Sequence, residues 1–361
     1  MAEKTTLFTD IGAILTLAGV ARKDGRRVEQ KDLSIRKNVA MVSLNGRIVW
    51  IGSRGKVPAE YTASCKTVSL EGRTVLPGFV ECHTHLVFAG VRSDEFELRN
   101  TGVSYAEIAR RGGGILSTVK ATRKASEDEL YAAAQTRLQR FIDQGVTTIE
   151  VKSGYGLKLK EEMKMLRAAR RLKKARVITS FLGAHAKPSE QRSTQSYIDR
   201  LVKKDLKVLA ESGLADRVDI FIEKGFFTVK QGREYLQKSK DLGLKLTIHA
   251  DQISRTGAGV LGVELAAQSI DHLVQVSKKD IEKIANSSTT AVLLPAADYY
   301  LKMAYPPARQ LIDVGARVAL ATDFNPGSSP TQDLATVGLM ARIEMKMALP
   351  EVIASYTYNA A

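Results

Sequence analysis

The chain has 361 residues, 44% of them hydrophobic, with 54 Lys+Arg against 39 Asp+Glu and a formal net charge of +15. This is enough for one large domain and a smaller one, and no apolar run reaches the roughly 18 residues of a membrane span. Two cysteines, Cys65 and Cys82, make no disulfide framework, and the N-terminus MAEKTTLFTD lacks a basic-then-apolar leader, so a cytoplasmic protein is expected.

From the N-terminus to about residue 75, the segments IGAILTLAG, KNVAMVSLNGRIVWIG and KTVSLEGRTVLPG alternate apolar and polar residues between glycine turns, with Asn45-Gly46 as a hairpin signal. They predict a small β domain over 1–75. From residue 76 to 361 the pattern becomes strand, loop, helix, repeated. The strand candidates are FVECH, VTTIEVKS, RVITSFLGAH, VDIFIEK, KLTIHAD, SIDHL, TAVLLPA and RVALATD. Between them, Ser126 with Glu129 forms a capping box that opens a helix stopped by Gly145; Thr228 with Gln231 opens another ended by Gly243, and Ser277 a third. Eight near-continuously apolar strands alternating with helices predict an α/β fold, a (β/α)8 barrel over 76–361 beside the small β domain. The last segment, DLATVGLMARIEMKMALPEVIASYTYNAA, reads as helical. The N-terminal sheet looks incomplete, so further C-terminal strands are expected to belong to the small domain.

All five histidines close predicted strands: His83 and His85 the first, His185 the third, His249 the fifth and His272 the sixth, while Asp323 closes the eighth. A barrel gathers those ends at one mouth, where active sites of this fold lie. His83-Thr84-His85 is extended, so both imidazoles point to one side. With His249 and Asp323 they offer three nitrogens and a carboxylate, a set that suits one Zn(II) or Fe(II) ion per chain with a position left for water.

The segments PGFVECHTHLVFAGVRSDEFELR, RRGGGILSTVKATR, TTIEVKSGYGL, FLGAH and ATDFNPGSSPT resemble the imidazolonepropionase family of the amidohydrolase superfamily, across most of residues 75–335. The resemblance implies a metal-dependent TIM barrel with a β-sandwich domain built from both chain ends. It also implies opening of the ring of 4-imidazolone-5-propanoate to N-formimidoyl-L-glutamate in histidine breakdown, and a homodimer. It makes His83, His85, His249 and Asp323 the metal ligands, with Asp323 taking a proton from water. His272 then assists the water or the oxyanion, and His185 contacts the substrate ring or carbonyl. Arg92 faces the substrate carboxylate with a guanidinium fork, and Tyr105, Tyr155, Asn325, Gly327 and Ser328 contact the substrate. Gly112, Gly113 and Gly114 read as a loop facing a carboxylate or ring before a helix near Ile115.

One position departs from the family. Some members carry a glutamate three residues after the fifth-strand histidine, where this chain has Gln252, preceded by Asp251. An amide cannot titrate but can orient substrate, so proton transfer falls to Asp323, His272 or Asp251. Lys224, at the fourth strand end, is a candidate for carbamylation between two metals, against a plain salt-bridged lysine. Three other functions compete: another amidohydrolase acting on a cyclic amide or deaminating a nucleobase, a non-catalytic binder on the same scaffold, and a basic nucleic-acid binder. The last is disfavoured because the basic runs 22–27, 170–176 and 201–207 lack interleaved aromatics and read as solvated surface, or as mild steering of an anionic substrate. No membrane partner is expected.

Overall fold

The computed structural model describes residues 4–63, 65–103, 107 and 113–361. The predicted contact Tyr105, and Gly112, lie outside the described residues. The chain divides into two compact units, Met1–Gly78 and Phe79–Ala361.

In the first unit, β1 (Thr5–Ile11), β4 (Val39–Leu44), β5 (Arg47–Ser53) and β6 (Lys66–Ser69) form one sheet in the order β5-β4-β1-β6. A second sheet, β3-β2-β7, consists of β2 (Ala13–Leu15), β3 (Ile35–Arg36) and β7 (Thr74–Val75). Strand β4 shows the two-residue period of side chains. Ala40 and Val42 pack with Leu7, Trp50 and Tyr61 on one face, and Val39 and Met41 pack with Ile11, Ile14 and Val75 on the other. Asn45 and Gly46 both have positive φ, 51° and 80°, and join Leu44 to its partner Arg47 as a two-residue hairpin. The run IGAILTLAG is not one strand. Leu17, at φ 55°, turns the chain after Leu15, and Ala18–Arg22 is a helix.

The second unit is a ring of parallel strands: β8 (Phe79–Glu81), β9 (Val146–Lys152), β10 (Arg176–Ala184), β11 (Arg217–Ile222), β12 (Lys245–Ala250), β13 (Ser269–His272), β14 (Thr290–Leu293) and β15 (Val318–Leu320), each paired with its sequence neighbour. The segments beyond β8 and β15 close the ring. Thr84 pairs in parallel with Phe324, and the His85 N–H donates to the Phe324 carbonyl at 2.9 Å. The buried Glu81 carboxylate reinforces this seam by accepting from the His83 and Thr322 N–H groups. The helices Glu127–Ile142, Val229–Asp241 and Lys278–Ala285 start at the capping boxes read from the sequence. Their apolar faces (Leu130, Ala134, Leu138; Tyr235, Leu236; Ile281, Ile284) bury against the strands in one continuous core. The final segment forms two helices, Leu334–Ile343 and Leu349–Tyr356.

Candidate active site

The strand ends carry a cavity of about 550 Å³ lined by His85, His185, His249, His272 and Asp323, by Arg92, Tyr155, Gln252, Asn325, Gly327 and Ser328, and by a wall of Phe96, Arg99 and Tyr300. Of the described residues assigned to metal or substrate, all are gathered here except His83, which lies fully buried beneath its neighbours; Asp251, Lys224, Gly113 and Gly114 do not line the cavity.

His83 and His85 share a side because the segment is extended. Thr84 points the other way, its hydroxyl donating to the Glu150 carbonyl of β9 at 2.6 Å. His83, His85 and His249 bring one nitrogen each within 4.8 Å of one another, and so do His83, His272 and Asp323 with a nitrogen or oxygen. Asp323 Oδ1 lies 3.4 Å from His83 Nε2 and 3.6 Å from His85 Nε2. Tetrahedral ligands at metal bonds near 2.0–2.1 Å sit about 3.4 Å apart, so these separations are those of groups sharing one cation.

The tautomers agree. His83 Nδ1 donates to Asp271 at 2.7 Å and His249 Nδ1 donates to Asp219 at 3.0 Å. Each ring therefore turns a bare Nε2 toward the cluster, and both Nε2 atoms are buried with no hydrogen-bond partner. A carboxylate behind a ligating histidine fixes its orientation and raises its basicity. The donor set thus fits a metal ion, and its buried lone pairs have no other occupation.

Behind the two aspartates stands Lys152, the last residue of β9 and 1% exposed. Its Nζ lies 2.7 Å from Asp219, 2.9 Å from Glu150 and 3.7 Å from Asp271. Burial opposes its charge, but the three carboxylates override it and raise its pKa. Burial likewise works against an ionised Asp219, yet His249 and Lys152 hold its carboxyl well below the usual range. Lys152, Asp219, Asp271 and Glu150 were not singled out from the sequence. The available signal was an ionisable residue inside an otherwise apolar strand: TIEVK, VDIFI, SIDH.

Other residues sort by what their polar atoms already do. His185 Nδ1 donates to the Gly154 carbonyl at 3.0 Å, leaving Nε2 as an acceptor, and burial pushes its pKa down to about 3. Gly154, at φ 114°, leaves room for this contact, since a Cβ there would stand 3.0 Å from His185 Nδ1. Burial raises the Asp323 carboxyl to about 7, against the pull of His249. His272 and Asp323 both hold positive φ, 76° and 51°, strain of the kind stored at functional sites. Gln252 faces the cavity, on a segment anchored by Glu223, which accepts from the Ile253 N–H and the Ser254 hydroxyl. Asp251 points elsewhere: it accepts from Thr256, Gly257 and Gly259 at the start of the helix Ala258–Glu264. It is therefore committed as a cap rather than placed as a base. Asn325 is committed to its own loop, with its amide bonded to the Asp323 carbonyl, the Gly327 and Ser328 N–H groups and the Ser328 hydroxyl. Arg92 donates through Nε and Nη2 to Glu95 at 2.9 and 2.7 Å. The glycine loop does face a carboxylate, but one of the protein: the Gly114 N–H donates to Glu95. Lys224 sits on an exposed turn outside the cavity, so the buried lysine at this barrel mouth is Lys152 on the second strand.

Residues 74–361 match the model of the amidohydrolase family. The imidazolonepropionase of Bdellovibrio bacteriovorus is 54% identical over 357 residues, 98% of this chain and 84% of that protein. The chain belongs to the imidazolonepropionase family. Imidazolonepropionases of Bacillus velezensis (44% over 99% of this chain and 85% of the relative) and Legionella pneumophila (45% over 90% and 82%) are also similar. Among solved structures, a triazine hydrolase variant superposes with TM-score 0.67 at 15% identity, over 99% of this chain and 82% of that one. The ochratoxinase of A. niger gives 0.63 at 13%, over 100% of this chain and 84% of that one. At such identities these two establish the barrel fold alone.

Proposed function

We propose that the chain hydrolyses the ring amide of 4-imidazolone-5-propanoate to N-formimidoyl-L-glutamate, using one zinc or iron(II) ion held by His83, His85, His249 and Asp323. The observation that carries the reading is the pair of buried, unpartnered Nε2 atoms of His83 and His249, each held by a carboxylate behind it, in a chain 54% identical to an imidazolonepropionase.

When bound, the metal supplies Lewis acidity, making water acidic near neutral pH and polarising a carbonyl. The protein's own groups do the rest. Asp323 takes the proton of the attacking water on its free carboxylate oxygen as the new C–O bond forms at the ring carbonyl. The same carboxyl returns that proton to the ring nitrogen as the C–N bond breaks, giving a carboxylate and a formimidoyl nitrogen. His272, at the same rim, and His185 Nε2 border the carbonyl carbon. Gln252 holds the ring through its amide, and Tyr155 closes one side. Arg92 orients the propionate arm, fixing the carbonyl against the water.

The test joins metal analysis of the purified protein to hydrolysis of freshly generated 4-imidazolone-5-propanoate, followed by loss of the ring's ultraviolet absorbance. About one ion per chain and turnover that chelation abolishes are expected, and the analysis names the metal. Turnover that persists after the metal is stripped would sink the reading. Metal without turnover would transfer the site to another cyclic amide or a nucleobase.

A further inference from the structure

The helix Ser93–Asn100 presents Arg92, at its N-cap, Phe96 and Arg99 to the cavity, at positions i, i+4 and i+7 of one helical face. The two arginines are in different electrostatic states. Arg92 is paired: two of its nitrogens donate to Glu95 Oε2, and Glu95 Oε1 is in turn held by the Gly114 N–H at 2.9 Å and the Ser117 hydroxyl at 3.3 Å. The Arg92 guanidinium also lies against Gly327, where a Cβ would come within 1.9 Å of its Nη1, so the pair is wedged between two loops.

Arg99 faces no carboxylate among the described residues. Its Nη2 makes a long contact, 3.4 Å, to the Gly327 carbonyl, and the guanidinium also bonds the neutral Tyr300 hydroxyl. Its guanidinium lies 4.7 Å from the centre of the Tyr300 ring, and Tyr300 stacks on Phe96 at 4.9 Å. Its Nε is buried with no hydrogen-bond partner. A buried, unfilled donor on a cation is costly unless a ligand completes it. The Tyr300 ring covers one face of the guanidinium, and an ionised acceptor makes the stronger, charge-assisted bond to such a donor.

We propose that Arg99 is a specificity-determining residue, supplying the unpaired positive charge that recognises the carboxylate of the substrate's side arm. Arg92, neutralised by Glu95, shapes and orients the same pocket. This rests on the proposed reaction only for the identity of the arm, since the unfilled donor calls for an anion in any case. Charge recognition and pocket shape are thereby divided between two arginines two turns apart on one helical face.

The experiment compares 4-imidazolone-5-propanoate with its propanamide, which has the same ring and a neutral arm, in the metal-loaded wild type, Arg99→Gln and Arg99→Lys. Thermal melting and metal content are checked for each. The expected result is a collapse of about 10- to 100-fold in the acid-over-amide preference of kcat/KM in Arg99→Gln, carried by KM, with partial recovery in Arg99→Lys. Equal losses on both compounds, or no loss on either, would overturn the assignment. Binding of 3-(imidazol-4-yl)propanoate and of its amide is measured by calorimetry alongside. If the wild type turns over neither compound, the proposed reaction fails, and this binding pair still decides Arg99. An acid preference present in the wild type and lost in Arg99→Gln sustains it, and equal binding refutes it. Should Arg99→Gln not fold, Arg99→Lys is judged by the same ratio.

Discussion

At the floor of the cavity the functional groups stand on strands, and each of His83 and His249 has a fully buried aspartate directly behind it. At the wall they stand on a helix and loops: Arg92 leans on Glu95 and Arg99 on Tyr300, and all four are only partly buried. The floor is organised from below by one lysine shared among three carboxylates, whereas the wall is organised sideways by single pairs. Dense mutual support suits groups that must share one cation within a few tenths of an ångström. Sparser support suits a surface that must admit and release an organic anion. A change at the floor should therefore propagate to metal binding and stability, and a change at the wall should remain in the affinity for substrate.

The largest effect should come from Lys152→Met. It leaves Glu150, Asp219 and Asp271 buried without their shared cation, and breaking such a cluster costs about 3–5 kcal/mol. A fall in melting temperature of roughly 5 °C is expected, together with weaker metal retention against a chelator. A variant that melts like the wild type and keeps its metal would show that the lysine does not organise the floor.

Asp219→Asn and Asp271→Asn sharpen the same point with less damage, because each keeps the shape and removes one charge behind one histidine. Each should weaken metal binding by about 10- to 100-fold, read by competition with a chelator, while KM in excess metal changes little. A change in KM with unchanged metal affinity would place these aspartates in substrate binding.

This division also explains what could be read from the sequence. The eight strands were legible because each is a short apolar run between turn signals, and the four proposed ligands because they close such runs. His83 and His85 were paired by the two-residue period alone. The supporting carboxylates were not legible in that way. Asp271 stands beside His249 in the β12–β13 register, yet it serves His83 from across the barrel. Only closure of the ring brings residues 83 and 271 together. Arg99 was passed over for a related reason. Arg92 and Arg99 occupy one motif, and nothing in their spacing says that Glu95, which stands three residues from one and four from the other, pairs with Arg92. Asp251 and Asn325 show the converse: titratable chemistry put the one at the site and the family resemblance the other, but local caps and turns occupy their polar atoms.

At the wall, Arg92→Ala should raise KM for the proposed substrate by about 10-fold or more with metal content unchanged. It removes a guanidinium that touches substrate in the proposed mode, and it releases Glu95 from its cation. Unchanged kinetics would leave Arg99 as the sole arginine of the arm, and loss of metal would show that floor and wall are not independent.

The smallest effect per step, read as a slope with pH, tests a group that lies between the two. Asp298, on the helix Pro295–Leu301 that also carries Tyr300, is fully buried, and neither carboxylate oxygen has a partner. Burial, with Asp323 adding to it, pushes its carboxyl up to about 8, from an ordinary 3.8. The folded chain therefore holds this proton more tightly than the unfolded chain. Folding stability falls as pH rises through the window between those two values and levels off above it. Asp298→Asn cannot ionise and removes that slope. The melting temperature of the variant minus that of the wild type should grow from pH 5 to pH 8, by about 2 °C per pH unit, and then flatten. A constant difference across that range would mean that Asp298 is already ionised and paired in solution. The floor's charge would then extend under the wall, and the separation between the two regions would have to be redrawn there.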